Sequence, residues 1–399
     1  MRILIVSSLF FPWRMGGAEV VAESTANALS KHGHDIHVLT LSADNTTYQE
    51  HFDGYEIRRV PLTNAYPLQN MNSATSLQRV RWHINDRSNM AMRLVFLSEL
   101  NKTKPDLVLL HNIAGFSISI YEVLVENSTT FVQVLHDHYF NCLYSTMYRD
   151  QRPCKHQCTR CIIFRSGHKK LTRKVNGVIG VSQYILNQSK TFGAFEGVPA
   201  RVIHNIAPAP GRISFPTEAK SEEKAGGCTL GYLGALSEPK GVVDLINAFS
   251  AVGGEEDRLK LAGNLVIQED LLRILIGNDR RIEYLGTVER DSFFSSIDCL
   301  VVSSKWGEPF GLVAQEAIFR GVAVIASNRG ALPEVVGNTP SAYVYDACDP
   351  AGLKNALKKL LPLRDFWKRG VPISILDHQI LMKEWSSSYE HFLNELVQA

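Results

Sequence analysis

The segment Ser303-Ser304-Lys305-Trp306-Gly307-Glu308-Pro309-Phe310-Gly311-Leu312-Val313-Ala314-Gln315-Glu316 sets two carboxylates around a proline and a glycine. Pro309 closes a loop, and a helix opening near Gly311 would turn its first amides toward a phosphate or sugar oxygen. Glu308 then sits in the loop above that helix and Glu316 about two turns from it. Carboxylates accept hydrogen bonds from paired hydroxyls, so the spacing fits a polyhydroxylated ligand such as a nucleotide sugar. A helix cap and a solvated acid are the plainer alternatives. Upstream, a strand ending near Leu233-Gly234 runs through Lys240-Gly241 into a helix. One ammonium there can neutralise a diphosphate as a point charge, or simply be solvated. Near the start, Gly16-Gly17 at a strand-to-helix turn either lets backbone amides approach an anion closely or makes a turn of positive φ.

Other segments carry different chemistry. The run Phe131-Val132-Gln133-Val134-Leu135 leads into His136, and Leu107-Val108-Leu109-Leu110 into His111. Each imidazole falls at a strand's carboxyl end, where ligands of parallel sheets bind and where it can orient an acceptor. Cys142, Cys154, Cys158 and Cys161 approach the thiolate spacing of a structural zinc, with plain thiols as the alternative. A catalytic zinc is not expected, because four thiolates leave no open position. From Gln151 to Lys174 the chain holds Arg152, Lys155, Arg160, Arg165, Lys169, Lys170, Arg173 and Lys174 without an acid. Such a run is either a solvated face or a patch for anionic lipid headgroups or a diphosphate-linked acceptor. Nucleic acid is not expected, since stacking aromatics are not interleaved through the run and the total charge is near zero.

These groups need a scaffold, and the composition allows one. The 399 residues are 45% apolar and 21% charged, which supports two or three packed domains and excludes a disordered or disulfide-dense chain. The net charge of +2 implies no bulk polyanion binding. No apolar run approaches the roughly 20 residues of a membrane span, and residues 2–8 read as a buried first strand rather than a leader, which predicts a cytoplasmic protein. Short apolar runs at 3–8, 36–42, 55–62, 107–111, 131–136, 178–182 and 202–205 alternate with helical patterns, and the texture repeats at 229–233, 259–263, 282–286, 300–304, 323–327 and 343–346. Alternation of this kind predicts an α/β chain of two Rossmann-like, doubly wound parallel-sheet domains. The breaker-rich stretch 206–227 separates them, giving domains at 1–205 and 206–370 and a helical tail at 371–399 that packs back on a domain surface.

Taken together and in order, Gly16-Gly17, His204-Asn205, Lys240-Gly241, Glu308-Pro-Phe-Gly-Leu with Glu316, and Gly330-x-x-Pro-Glu334 resemble the retaining glycosyltransferase family 4. The resemblance implies a GT-B fold with an interdomain cleft, an N-terminal acceptor domain and a C-terminal donor domain. It implies that Glu308 holds the donor sugar, Glu316 the ribose, Lys240 the leaving diphosphate, and His136 the reacting sugar. Amides at Phe310, Gly311 and Leu312, with Gly234, Gly16 and Gly17, would serve the donor. The family arginine falls at Ala235, so one customary cation is missing, with Arg329 and Lys305 as substitutes to examine. The implied reaction moves a sugar with retention from a nucleotide-diphosphate sugar to a carbohydrate or lipid-linked hydroxyl in surface polysaccharide or glycolipid assembly. No cofactor is expected for transfer, as no Asp-x-Asp ligand set stands near Lys240. A non-catalytic nucleotide-sugar binder, a sugar phosphorylase or an epimerase of the same shape are the alternatives.

Overall fold

Strands buried on both faces must be apolar throughout, and Ile3, Leu4, Ile5 and Val6 are all at most 2% exposed. In a computed structural model, which describes residues 1–52, 54–68, 74–211, 227–337, 339–363 and 373–398, the strands are β1 (Arg2–Ser7), β2 (Asp35–Leu41), β3 (Tyr48–Phe52), β4 (Tyr55–Val60), β5 (Leu107–Leu110), β6 (Phe131–Leu135), β7 (Tyr148–Arg149), β8 (Arg152–Pro153), β9 (Gly177–Gly180) and β10 (Ala200–Val202). They continue with β11 (Thr229–Leu233), β12 (Arg258–Ala262), β13 (Ile282–Tyr284), β14 (Cys299–Val302), β15 (Ala323–Ser327) and β16 (Ala342–Tyr345).

One sheet has the order β10-β9-β6-β5-β1-β2-β4-β3, parallel except for the edge pair β3–β4. The other has the order β13-β12-β11-β14-β15-β16, parallel throughout. In each, the chain builds outward on one side and then returns to build on the other. The reversal falls at β1/β5 in the first sheet and at β11/β14 in the second. Loops diverge at such a reversal and leave a crevice beyond the strands' carboxyl ends.

The chain divides into two compact units, one of residues 1–147, 154–205 and 381–399 and the other of residues 148–153 and 206–380. The first unit thus takes in most of the helix Ile375–Gln398, whose Trp385, Tyr389, Phe392 and Leu393 are buried. That helix is held by Glu390 and Ser386 on the His32 ring at 2.6 and 2.9 Å, and by Glu395 on Arg201 at 3.1 Å. A Cβ on Gly177 would come within 2.4 Å of Leu396 Cδ1 and 3.0 Å of the Phe392 ring, so helix and sheet approach closely there. The short hairpin β7–β8 belongs to the second unit. Of the breaker-rich stretch, residues 206–211 are irregular and 212–226 lie outside the described residues.

Candidate functional site

In the second unit the two loops at the sheet reversal pack on each other. β11 leads through Gly234 and a short 3-10 turn, Glu238–Lys240, to Gly241 and the helix Val242–Val252. Gly241 has φ +71° and stands so close to the β14 loop that a Cβ would lie 1.9 Å from the Ser303 carbonyl oxygen. The Lys305 and Trp306 amides donate to the Pro239 carbonyl oxygen at 2.8 and 3.2 Å. Tyr232 holds the other end of the loop, its hydroxyl donating to the Ala235 carbonyl oxygen at 2.7 Å. Burial, with the Glu308 charge nearby, pushes that phenol well up.

This packing brings Lys240 and Glu308 together. The Lys240 ammonium donates to Glu308 Oε1 at 2.6 Å, and Trp306 Nε1 donates to the same oxygen at 2.9 Å, joined by the Ser304 hydroxyl. The ammonium also lies over the Trp306 ring, 4.9 Å from its centre. Glu308 is 5% exposed, and a carboxylate so buried requires this set of donors. The helix Leu312–Phe319 opens after Gly311, which has φ +99°, with Phe310 buried just before it.

Glu316, on that helix, has a different set of partners. It is 3% exposed and both its oxygens accept from Arg290 Nη1, on the helix Arg290–Ser295. Burial raises its carboxyl while Arg290 and Arg320 oppose the rise. The plainer alternative of a solvated acid is therefore overturned, and Arg290 is a charged neighbour that spacing did not reveal. Of the two candidate substitutes for the family arginine, Lys305 is taken by Glu238 at 2.7 Å and Asp244 at 3.4 Å. Burial alone would lower the Lys305 ammonium, but these carboxylates carry it above its ordinary value. Glu238 also accepts from the Tyr148 hydroxyl at 3.2 Å. Arg329 donates to the Ala347 carbonyl oxygen at 3.0 Å.

In the first unit the two strand-end histidines meet. His111 Nδ1 and His136 Nε2 are 2.9 Å apart, with the rings stacked at 5.0 Å. One ring nitrogen donates and the other accepts, so the contact needs at least one neutral imidazole. Burial drives His136 down to about 3, and burial with the His136 charge drives His111 well below its ordinary value, so both are neutral near pH 7. Gln133 Nε2 fixes the pair from below through the His111 carbonyl oxygen at 2.7 Å. The neighbouring Asp137 is pushed up to about 6 by burial.

Gly16 caps the helix Gly17–Lys31 in extended backbone, φ −159°, and the nearest atom to a Cβ there would be 3.7 Å away. The turn of positive φ is thus not what Gly16 serves, and neither conformation nor packing within the unit demands a glycine. Its amide donates to Glu19 Oε2 at 2.8 Å.

The four clustered cysteines pack into one small core, and none of the four is in a disulfide. The neighbouring Cys161 thiol lowers the Cys142 thiol against the opposing effect of burial, and Cys161 is raised in turn. Among the described residues no group of three or more His, Cys, Asp or Glu is placed to hold a metal ion. The basic run needs a correction at Arg165. That guanidinium is buried, ion-paired with Asp86 at 3.1 Å and stacked on the Tyr139 ring, because Asp86 at 0% exposure must be compensated.

Two doubly wound units, each with polar loops at its strand reversal, make up the GT-B fold. Sucrose-phosphate synthase from Thermosynechococcus elongatus superposes with a TM-score of 0.74 at 17% identity, covering 99% of this chain and 98% of that one. Anabaena HepE, solved in complex with UDP and glucose, gives 0.67 at 16% identity, over 99% and 100%. The Glycosyltransferase Family 4 model matches residues 15–207 and the Glycosyl transferases group 1 model residues 215–369, and the chain belongs to this family. An uncharacterized 42.6 kDa protein in the cps region of Klebsiella pneumoniae is 25% identical over 349 residues, 87% of this chain and 90% of that one. The D-inositol 3-phosphate glycosyltransferase of Corynebacterium jeikeium is 30% identical over 146 residues, 33% of this chain and 35% of that one.

Proposed function

We propose that the chain moves a sugar, with retention, from a nucleotide-diphosphate sugar to a hydroxyl of a carbohydrate or lipid-linked acceptor in surface polysaccharide or glycolipid assembly. The observation that carries this reading is the Lys240–Glu308 contact at 2.6 Å, set where the β11 and β14 loops meet at the sheet reversal. Without ligand the cation and carboxylate satisfy each other. When a donor binds, its ring hydroxyls take over Glu308, and Lys240 turns to the diphosphate, whose charge grows as the glycosidic bond breaks. The first amides of the helix Leu312–Phe319 add to that stabilisation. Glu316 holds the ribose, and Arg290 keeps the carboxylate ionised in its buried place. Gly16 and Gly17 leave room for the donor, and Gly234 for the diphosphate.

The His111–His136 pair, neutral at working pH, supplies one ring N–H and one acceptor in fixed tautomers. It orients the reacting hydroxyl without adding charge beside an oxocarbenium-like centre. Catalysis is then mostly positioning and leaving-group stabilisation, and no cofactor enters it. That HepE was solved with UDP and glucose, and that a relative is encoded in a cps region, agrees with this substrate class.

The test begins with thermal shift against UDP-, GDP- and ADP-sugars, followed by nucleotide release with acceptor pools. Glu308→Ala and Lys240→Ala should each lower turnover by roughly 100-fold or more while the fold is kept. Unaltered turnover in both would overturn the assignment. Tight nucleotide binding with no release under any acceptor would favour a binding protein instead.

A further inference from the structure

The helix Ser76–Arg87 is built inside out. Its buried residues are Trp82 and Asp86. At 3.6 residues per turn, Leu77, Val80 and Ile84 fall on the opposite side, about 180° from that seam. They are 79, 46 and 56% exposed. A surface helix normally does the reverse, turning its aliphatic stripe inward. The helix is nonetheless specified locally, since Thr75 and Gln78 form a reciprocal cap at its start. Its seam is also pinned, because Asp86 accepts from Arg165, the Tyr139 hydroxyl and the Gly115 amide. The outward aliphatic face is therefore a fixed feature of the first unit.

The ridge has neighbours of the same character. His83 contacts the rings of Phe164 and Tyr144 at 6.1 and 6.0 Å, which sets the helix Thr159–Phe164 alongside. On that helix Ile162 and Ile163 are more than half exposed, as is Tyr144 before it. Arg81 and Arg87 flank the ridge on either side and Arg160 stands on the adjoining helix, all exposed. The two helices carry one acid between them, Asp86, and it is buried.

From this arrangement we propose that the face made by Leu77, Val80, Ile84, Ile162 and Ile163 docks on an anionic lipid bilayer, with the arginines at headgroup level. Aliphatic side chains at the centre, cations at the rim and an exposed tyrosine beside them match the layering of a membrane interface. A second copy of the chain would instead oppose arginine to arginine. The inference goes beyond the transfer chemistry and is read by binding alone, so it stands or falls separately.

The experiment is co-sedimentation of the full chain with vesicles of phosphatidylcholine, alone or mixed with phosphatidylglycerol. Wild type should pellet with the anionic vesicles and be released by salt. The triple variant Leu77→Ser, Val80→Ser, Ile84→Ser should lose on the order of tenfold in partitioning with an unchanged melting temperature, as the side chains it alters are exposed. Arg81→Gln with Arg87→Gln should abolish the preference for anionic lipid. Wild type left in the supernatant would overturn the proposal. So would a dimer in light scattering that the serine variant dissolves, since the face would then join two copies.

Discussion

Gly330 rests on the backbone of Glu308: a Cβ at residue 330 would lie 2.2 Å from the Glu308 carbonyl oxygen and 2.3 Å from its nitrogen. The following amide, of Ala331, donates to that same carbonyl oxygen at 2.8 Å. The loop after β15 thereby clamps the loop that carries Glu308, and Gly330 itself has φ +65°.

Gly330→Ala therefore meets both a backbone clash and a strained φ. It should cost about 2–4 kcal/mol and weaken nucleotide-sugar binding, because Glu308 and Lys240 move together. Chemical denaturation and a donor titration check this. Unchanged values in both would show that the loop yields freely.

The histidine pair sets an acid limit on the first unit. His136, near 3 in the folded chain against 6.5 when unfolded, stays neutral where the unfolded chain takes up a proton. Its contribution is fully present above about pH 6.5 and is lost as pH falls toward 3, at roughly 1.4 kcal/mol per pH unit. His111 acts in the same direction. Asp137 opposes them: raised from 3.8 to about 6, it favours the folded state at low pH and loses that as pH rises through the same interval. His83, brought down to about 4 by burial, and His168, held well below its ordinary value, act with the pair, while the raised Glu19 acts with Asp137; the imidazoles prevail, so the melting temperature should fall between pH 6.5 and 5, and less steeply in His136→Gln. An equal slope in that variant would remove the pair as the cause.

The seat of the C-terminal helix can be probed from the sheet side. Gly177→Ala drives a methyl into Leu396 and toward the Phe392 ring, and should destabilise by about 1–3 kcal/mol. Adding Leu396→Ala should recover part of the loss, a coupling that a double-mutant cycle reads directly. Simple additivity would place the damage elsewhere.

For the cysteine cluster, no three His, Cys, Asp or Glu among the described residues are placed to hold a metal, so purified protein should contain no stoichiometric zinc. One zinc per chain by elemental analysis would reverse this.

The parallel strands were legible because burial on both faces leaves unbroken apolar runs, as in Leu107–Leu110 and Phe131–Leu135. The polar edge strand Tyr48–Phe52 and the hairpin Tyr148–Pro153 left no such trace, because pairing alone makes them. Lys240 and Glu308 were legible through motif and spacing. The Arg290–Glu316 pair was not, since the arginine sits on a separate helix and only folding makes the two neighbours. Arg165 read as one cation in a basic run because nothing in its own segment names Asp86, far upstream, as its partner. His111 and His136 were each visible at a strand end, but their contact depends on β5 and β6 being adjacent.

The helix that finishes the first unit also fixes an order of events at the ribosome. All strands of that unit's sheet have been synthesised by Val202, yet Tyr389, Phe392 and Leu393, which seal it, emerge only after the whole second unit. A nascent chain thus waits with an open apolar seat beside Gly177, and a fragment cut after residue 205 would carry the same gap permanently and should be prone to aggregation.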